Sequence, residues 1–155
     1  MIQLYIDGAS RGNPGLSSCA FIVIQDRQVF HEESFFLGKL TNNQAEYTGL
    51  LTALLYAVNH GMKEVQVLSD SELLVNQLLG SYRVKSPNLV EYFQCYLSMK
   101  SFFSGFRIGH IPREKNTRAD FLCNQKLNHI SDKDTEREVS LDQIRELFKR
   151  NIREP

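Results

Sequence analysis

The feature that most constrains this chain is a change of hydrophobic period near residue 40. Before it, side chains follow the two-residue rhythm of strands. After it, strand and helix signals alternate. Residues 2–7 set Ile2, Leu4 and Ile6 on one face and Gln3, Tyr5 and Asp7 on the other, as a strand would. DGASRGNPG (7–15) is a dense turn signal. Residues 17–25 and 28–37 read as two more strands, and the short Asp26-Arg27 connection predicts a hairpin between them. Thr41-Asn42-Asn43 can cap a helix running to about His60, with Tyr47, Leu50, Leu51, Leu54, Ala57 and Val58 at helical spacing. Gly61 would end it. A strand over 64–69 follows, then a helix over 71–79 stopped by Gly80. Ser86-Pro87 opens a helix to about Phe102, since proline fits a first helical position. A strand over 105–111, a loop with Pro112 and a helix over roughly 115–129 complete the pattern. The order predicts an α/β fold: a five-stranded mixed sheet, three leading antiparallel strands then two parallel, with helices on both faces.

Residues 1–130 read as one domain. The tail, 131–155, is predicted as a charged linker plus a C-terminal amphipathic helix. SDKDTEREV is too charged to bury much of itself. Ser140 and Gln143 then form a capping-box pattern ahead of Leu141, Ile144, Leu147, Phe148 and Ile152. A lone helix this short is marginal in water, so docking on its own domain is expected ahead of docking on a protein partner.

The bulk numbers narrow the function classes. The 155 residues are 42% hydrophobic and 23% charged, ordinary for a globular domain with a core. No apolar run approaches the roughly 18 residues that cross a bilayer, and MIQLYIDGAS has no signal-peptide pattern, so no membrane partner is expected. Cys19, Cys95 and Cys123 are odd in number and far apart, which fits reduced thiols in a cytoplasmic protein. The formal net charge is zero, but it is unevenly spread. Residues 1–80 hold four Lys/Arg against eight Asp/Glu, a net of −4. Residues 81–118 hold seven against two, a net of +5. An acidic half beside a basic segment suits a metal site next to a polyanion track, although uneven surfaces are also common.

Four carboxylates sit in awkward places. Asp7 ends the first strand and Asp70 the fourth; if those strands are parallel neighbours, both emerge at one carboxyl edge, where α/β sheets keep their sites. Glu46 shares a helix face with Leu50, Ala53 and Ala57, and Asp120 lies above Cys123 and Leu127. Each has a simpler reading. Asp7 fits a turn, Asp70 a helix cap, Glu46 and Asp120 the positive end of a helix dipole. Together, four such groups at one edge repel one another unless cations lie among them. Hard divalent ions take oxygen ligands, and a pair of them can clamp the attacking and leaving oxygens of a phosphodiester.

At this point the residues resemble a family. DGASRGNPG, TNNQAEY, SDSELLVNQL and GHIPREKNTRADFLCN, in this order and spacing, resemble ribonuclease HI over about residues 1–130. The resemblance implies an RNase H-like fold and an endonuclease cutting the RNA strand of RNA–DNA hybrids, leaving 5′-phosphate and 3′-hydroxyl ends. It implies Asp7, Glu46, Asp70 and Asp120 as ligands of two Mg²⁺ ions, with Mn²⁺ a possible substitute. His110 would assist the attacking water or product departure, a task that suits imidazole near neutral pH. Gly8, Ala9, Asn13, Thr41, Asn42 and Asn43 would grip the hybrid, with small residues at 8 and 9 letting the backbone approach ribose. A monomer is expected.

Three departures stand out. Glu72 replaces a neutral amide of some members. The GSYRVKS segment leaves no room for a long basic protrusion, so affinity should be modest and salt-sensitive, with Arg83 and Lys85 in part substituting. Cys123-Asn124-Gln125-Lys126 replaces small apolar residues, for which a packing change without loss of chemistry is expected. Three competing readings stay open: a same-fold nuclease for another substrate, a silent binding module, and a subunit that meets a protein partner through 131–155.

Overall fold

A computed structural model describes residues 1–153 of the chain, and these form one sheet in the order β3-β2-β1-β4-β5. β1 (Ile2–Gly12), β2 (Gly15–Gln25) and β3 (Gln28–Leu40) make an antiparallel meander. β4 (Glu64–Ser69) runs parallel to β1, and β5 (Gly105–His110) parallel to β4. The predicted mixed sheet is thus present. Asp26 and Arg27, both at positive φ, close the β2–β3 hairpin with the twist that two-residue loops need. One expectation is corrected. DGASRG is not a turn: the β1–β2 ladder continues to Gly12↔Gly15, leaving Asn13 and Pro14 between the strands. Backbone pairing across the whole segment outweighs its turn-rich composition.

Helices cover both faces. α1 (Asn42–Asn59) starts in a reciprocal cap: the Gln44 N–H donates to Thr41 Oγ1 at 3.2 Å, and the Thr41 N–H to Gln44 Oε1 at 3.0 Å. With α2 (Glu72–Leu79) and α3 (Pro87–Lys100) it buries the main core, in which Leu4, Ile6, Leu50, Leu54, Val67 and Tyr96 are sealed from solvent. α4 (Thr117–Asn128) packs on the opposite face, setting Ala119, Leu122 and Cys123 against Ala20 and Ile22. The Ser18 hydroxyl pins it there, donating to the Cys123 carbonyl at 2.8 Å. A 3₁₀ turn, Arg113–Lys115, joins β5 to α4. No helix of the described residues is long and apolar enough to cross a membrane.

Two glycines bring α1 onto β1. A Cβ at Gly8 would stand 2.3 Å from the Ala45 carbonyl carbon, and one at Gly49 would stand 2.6 Å from the Asp7 carbonyl oxygen. Strand and helix therefore meet backbone to backbone beside Asp7 and Glu46.

The tail differs from its expectation in part. The predicted linker holds a short helix, α5 (Asp132–Glu136), capped by Ser131 and tied down by Lys126 Nζ to Asp134 Oδ1 at 3.1 Å. Charge that could not build a core still caps and pairs. α6 (Leu141–Arg153) docks on its own domain through Leu141, Ile144 and Phe148, which join the main core. Leu147 and Ile152 of the same stripe remain exposed. Glu154 and Pro155, the end of the predicted tail, lie outside the described residues. Phe148→Ala should therefore cost about 3 kcal/mol of unfolding free energy and Leu147→Ala less than about 1, read by urea denaturation.

Candidate active site

The sheet reverses its strand order at β1, the strand flanked by an antiparallel and a parallel neighbour. Ligand sites of α/β sheets lie at such points, outside the carboxyl ends of the strands. The β1–β4 register pairs Tyr5 with Leu68; carried on by two residues, it sets Asp7 level with Asp70. α1 brings Glu46 to this edge and α4 brings Asp120. All four carboxylates line one cavity of about 280 Å³, together with Gly8, Ala9, Asn42, Arg113, Thr117 and Asn124.

The simpler readings of three of these acids fail on geometry. Asp7 is no turn residue, because it lies inside the ladder opposite Ala20. Asp70 is no cap, because the Ser71 side chain accepts the Leu74 N–H at 3.2 Å and caps α2 instead. Glu46 lies beyond the first turn of α1, which holds no acid, so the helix dipole does not account for it. Asp120 does occupy a first turn and keeps its favourable dipole.

Neutral donors, not cations, orient each carboxylate. The Gly8 N–H reaches Asp7 Oδ1 at 2.9 Å, Asn42 Nδ2 reaches Glu46 Oε1 at 2.6 Å, and Asn116 Nδ2 reaches Asp70 Oδ2 at 3.0 Å. Asn124 Nδ2 donates to the Asp120 carbonyl at 3.0 Å and lies 3.4 Å from its Oδ1. Among the described residues none of the four forms an ion pair. Asn116 ties the site together. Its Nδ2 also donates to the Ile6 carbonyl at 2.9 Å, and its own carbonyl accepts the Asp120 N–H at 3.2 Å. One buried residue thus bonds Asp70 and the Ile6 carbonyl through its side-chain amide, and the Asp120 N–H through its main-chain carbonyl.

The electrostatics follow. Burial, then the Asp70 charge, push the Asp7 carboxyl up to about 8, with Asp120 and Glu46 adding to the rise against the Gly8 hydrogen bond. Burial and Asp70 likewise raise Glu46, opposed by Ser71, Asn42 and Arg113. The donor set is all oxygen and negative, which fits a hard divalent cation. Among the described residues no three His, Cys, Asp or Glu side chains converge tightly enough to hold an ion by themselves.

The other predicted residues divide. Gly8, Ala9 and Asn42 line the cavity. Gly8 is also needed inside the protein, for the contact with α1, whatever it does for ribose. Asn13 Oδ1 accepts the Asn42 N–H at 3.2 Å and joins the β1–β2 turn to the start of α1. Thr41 serves as the helix cap, and Asn43 follows Asn42 without lining the cavity. His110 stands at the end of β5, exposed and outside the cavity lining, its Nε2 3.2 Å from the Asp70 carbonyl. Glu72, exposed on α2, lies outside it as well. Sequence reasoning missed Asn124, taken as a packing change; its place four residues after Asp120, one helical turn on, was the signal. It also missed Arg113 and Thr117.

A pH dependence follows from Asp7. Its carboxyl holds a proton in the folded chain over a range, from 3.8 to about 8, in which the unfolded chain has lost it. Stability of the metal-free protein should therefore fall as pH rises through that range. Asp7→Asn should flatten the fall and melt higher than the parent at the alkaline end, as thermal melts in a chelator would read.

The family model described as Reverse transcriptase-like matches residues 5–126. Ribonuclease HI of Halobacterium salinarum is 35% identical over 128 residues, covering 82% of this chain and 64% of that protein. The crystal structure of RNase H1 from the same species superposes with a TM-score of 0.80, over 82% of this chain and 97% of the other. LC11-RNase H1, solved in complex with an RNA/DNA hybrid, is 40% identical with a TM-score of 0.77, over 81% of this chain and 95% of the other. The N-terminal RNase H domain of Rv2228c from Mycobacterium tuberculosis is 37% identical with a TM-score of 0.77, over 80% of this chain and 96% of the other. The chain spans 64% of the curated archaeal relative and 35% of the full mycobacterial protein. A family model matched over most of the length, and a fold shared with RNase H1 at this identity, make the chain a member of the ribonuclease HI family.

Proposed function

We propose that the protein is an endonuclease that hydrolyses the RNA strand of RNA–DNA hybrids and leaves 5′-phosphate and 3′-hydroxyl ends. The observation that carries the reading is the cavity itself: four carboxylates from four elements, each held by a neutral N–H, with no protein cation paired to them. Asp7, Glu46, Asp70 and Asp120 would hold two divalent cations, Mg²⁺ or Mn²⁺ in its place. Bound there, the ions would supply the Lewis acidity that activates water and stabilises the departing 3′ oxygen.

The chain's own residues do the rest. Asn42, Asn116 and Asn124 fix the directions in which the carboxylates point. Gly8 and Ala9 present backbone to the cavity, where ribose 2′-hydroxyls distinguish RNA from DNA. Asn13, Thr41, Asn42 and Asn43 cluster at the start of α1 and would bind the hybrid beside the cavity. His110, beside Asp70 and open to solvent, would move a proton at the attacking water or the leaving oxygen. The RNA/DNA hybrid bound by LC11-RNase H1 supports this choice of substrate. The same reading has a monomer at work in the cytoplasm, a compartment that would keep the three buried cysteines reduced.

Labelled hybrid, duplex RNA and duplex DNA, each with and without Mg²⁺, give the test. Cleavage of the hybrid alone, and only with metal, is expected. Cutting of duplex RNA in preference, or binding without cutting, would overturn the reading. Asp70→Asn should lower the rate on the order of 10³-fold with folding intact, and His110→Ala by about 10²-fold.

A further inference from the structure

A second groove, of about 390 Å³, lies on the α4 side of the sheet. Tyr5, Ile22, Ile24 and Val29 form its floor. Arg27, Lys115 and Arg118 stand at its rim, and among the described residues no carboxylate lines it. Its volume falls in the range that holds small ligands.

The groove continues the carboxylate cavity. Thr117 lines both, and Asn116, which lines the groove, bonds Asp70 in the cavity. The two-residue period of β1 sets Tyr5 on the same sheet face as Asp7. Cations follow this path: Arg113 in the cavity, then Lys115 and Arg118, then Arg27. They include the end of the basic 81–118 segment, which the four carboxylates leave unexplained. Arg118 is committed to a two-point ion pair with Glu32, its Nε donating to Oε2 at 2.9 Å and its Nη2 to Oε1, which leaves Arg27 and Lys115 as the cations open to a ligand. Arg27 and Lys115 are exposed and, among the described residues, in no ion pair.

We propose that this groove binds an unpaired, single-stranded extension of the hybrid, with phosphates on Arg27 and Lys115 and bases against the apolar floor. The inference rests on the nuclease reading. A polyanion is favoured by the cationic rim, and a strand continuous with the substrate by the shared Thr117. Apolar contact with base faces tolerates any sequence, so the site would sense strandedness, not sequence.

The test is fluorescence anisotropy of the full chain in a chelator, with a blunt hybrid and the same hybrid carrying a short single-stranded extension at each end in turn. At one end the extension should tighten binding about tenfold. The double variant Lys115→Glu, Arg27→Asn should abolish that gain and lower the salt slope for the extended substrate by about 1.4, two phosphate contacts' worth. Asparagine is chosen because Arg27 has φ 64° and asparagine tolerates that region. Melting temperature and blunt-hybrid cleavage by the variant should match the parent. No gain from any extension, or a gain that survives the double variant, overturns the proposal while hybrid cleavage stands. A glutamate-rich peptide that displaces the extension more effectively than an unlabelled oligonucleotide also overturns it, assigning the groove to an acidic protein. Failure to bind or cut hybrid of any form sinks the nuclease reading, and this one with it.

Discussion

Repulsion among four carboxylates is the constraint on which the rest of this structure depends. Asp7, Glu46, Asp70 and Asp120 share one cavity, and burial with like charge drives Asp7 far above the ordinary carboxylate range. A protein that needed these acids only for stability would pair them with lysine or arginine. This one gives each a neutral N–H donor and, among the described residues, no ion pair; Arg113 in the cavity lining only partly offsets the charge at Glu46. The cluster is costly in the protein alone, and under the proposed function bound dications would relieve it.

The surrounding fold exists to keep that arrangement rigid. Gly8 and Gly49 let β1 and α1 touch through their backbones, which fixes Asp7 relative to Glu46. Asn116 joins β1, the end of β4 and the start of α4 through a single side chain and its own carbonyl. It is 2% exposed and its Oδ1 has no partner, so the amide is held for its donors and accepts an unmade hydrogen bond to do so. α6 adds Leu141, Ile144 and Phe148 to the core from outside the matched family region, on the face opposite α4. Stability is thus supplied away from the site.

The sequence revealed the architecture because its periods are clean. Ile2, Leu4 and Ile6 alternate, the stripe in 47–58 repeats helically, and Thr41 and Ser140 mark helix starts. It singled out the four carboxylates that share the cavity because acids beside strands and on inward helix faces are out of place, although Asp7 lies inside β1 and not at its end. It concealed what depends on three-dimensional closeness. Nothing local distinguishes DGASRG as strand from DGASRG as turn; partner pairing decides. Asn116 and Asn124 look like helix-start and surface residues until β1 and β4 arrive beside them. Gly49 looks like a weak point in a helix, and only the Asp7 carbonyl against it explains the missing side chain. SDKDTEREV looks disordered because its ordering comes from Ser131 and Lys126 to one aspartate, not from burial.

The most direct measurement is the ¹³C resonance of the Asp7 carboxyl carbon, followed through a pH titration of the full chain with and without Mg²⁺. Without metal the midpoint should fall near 8, and Mg²⁺ should draw it down toward the ordinary range. An ordinary midpoint in the metal-free protein, indifferent to Mg²⁺, would contradict the claim that these four acids are crowded together to await cations.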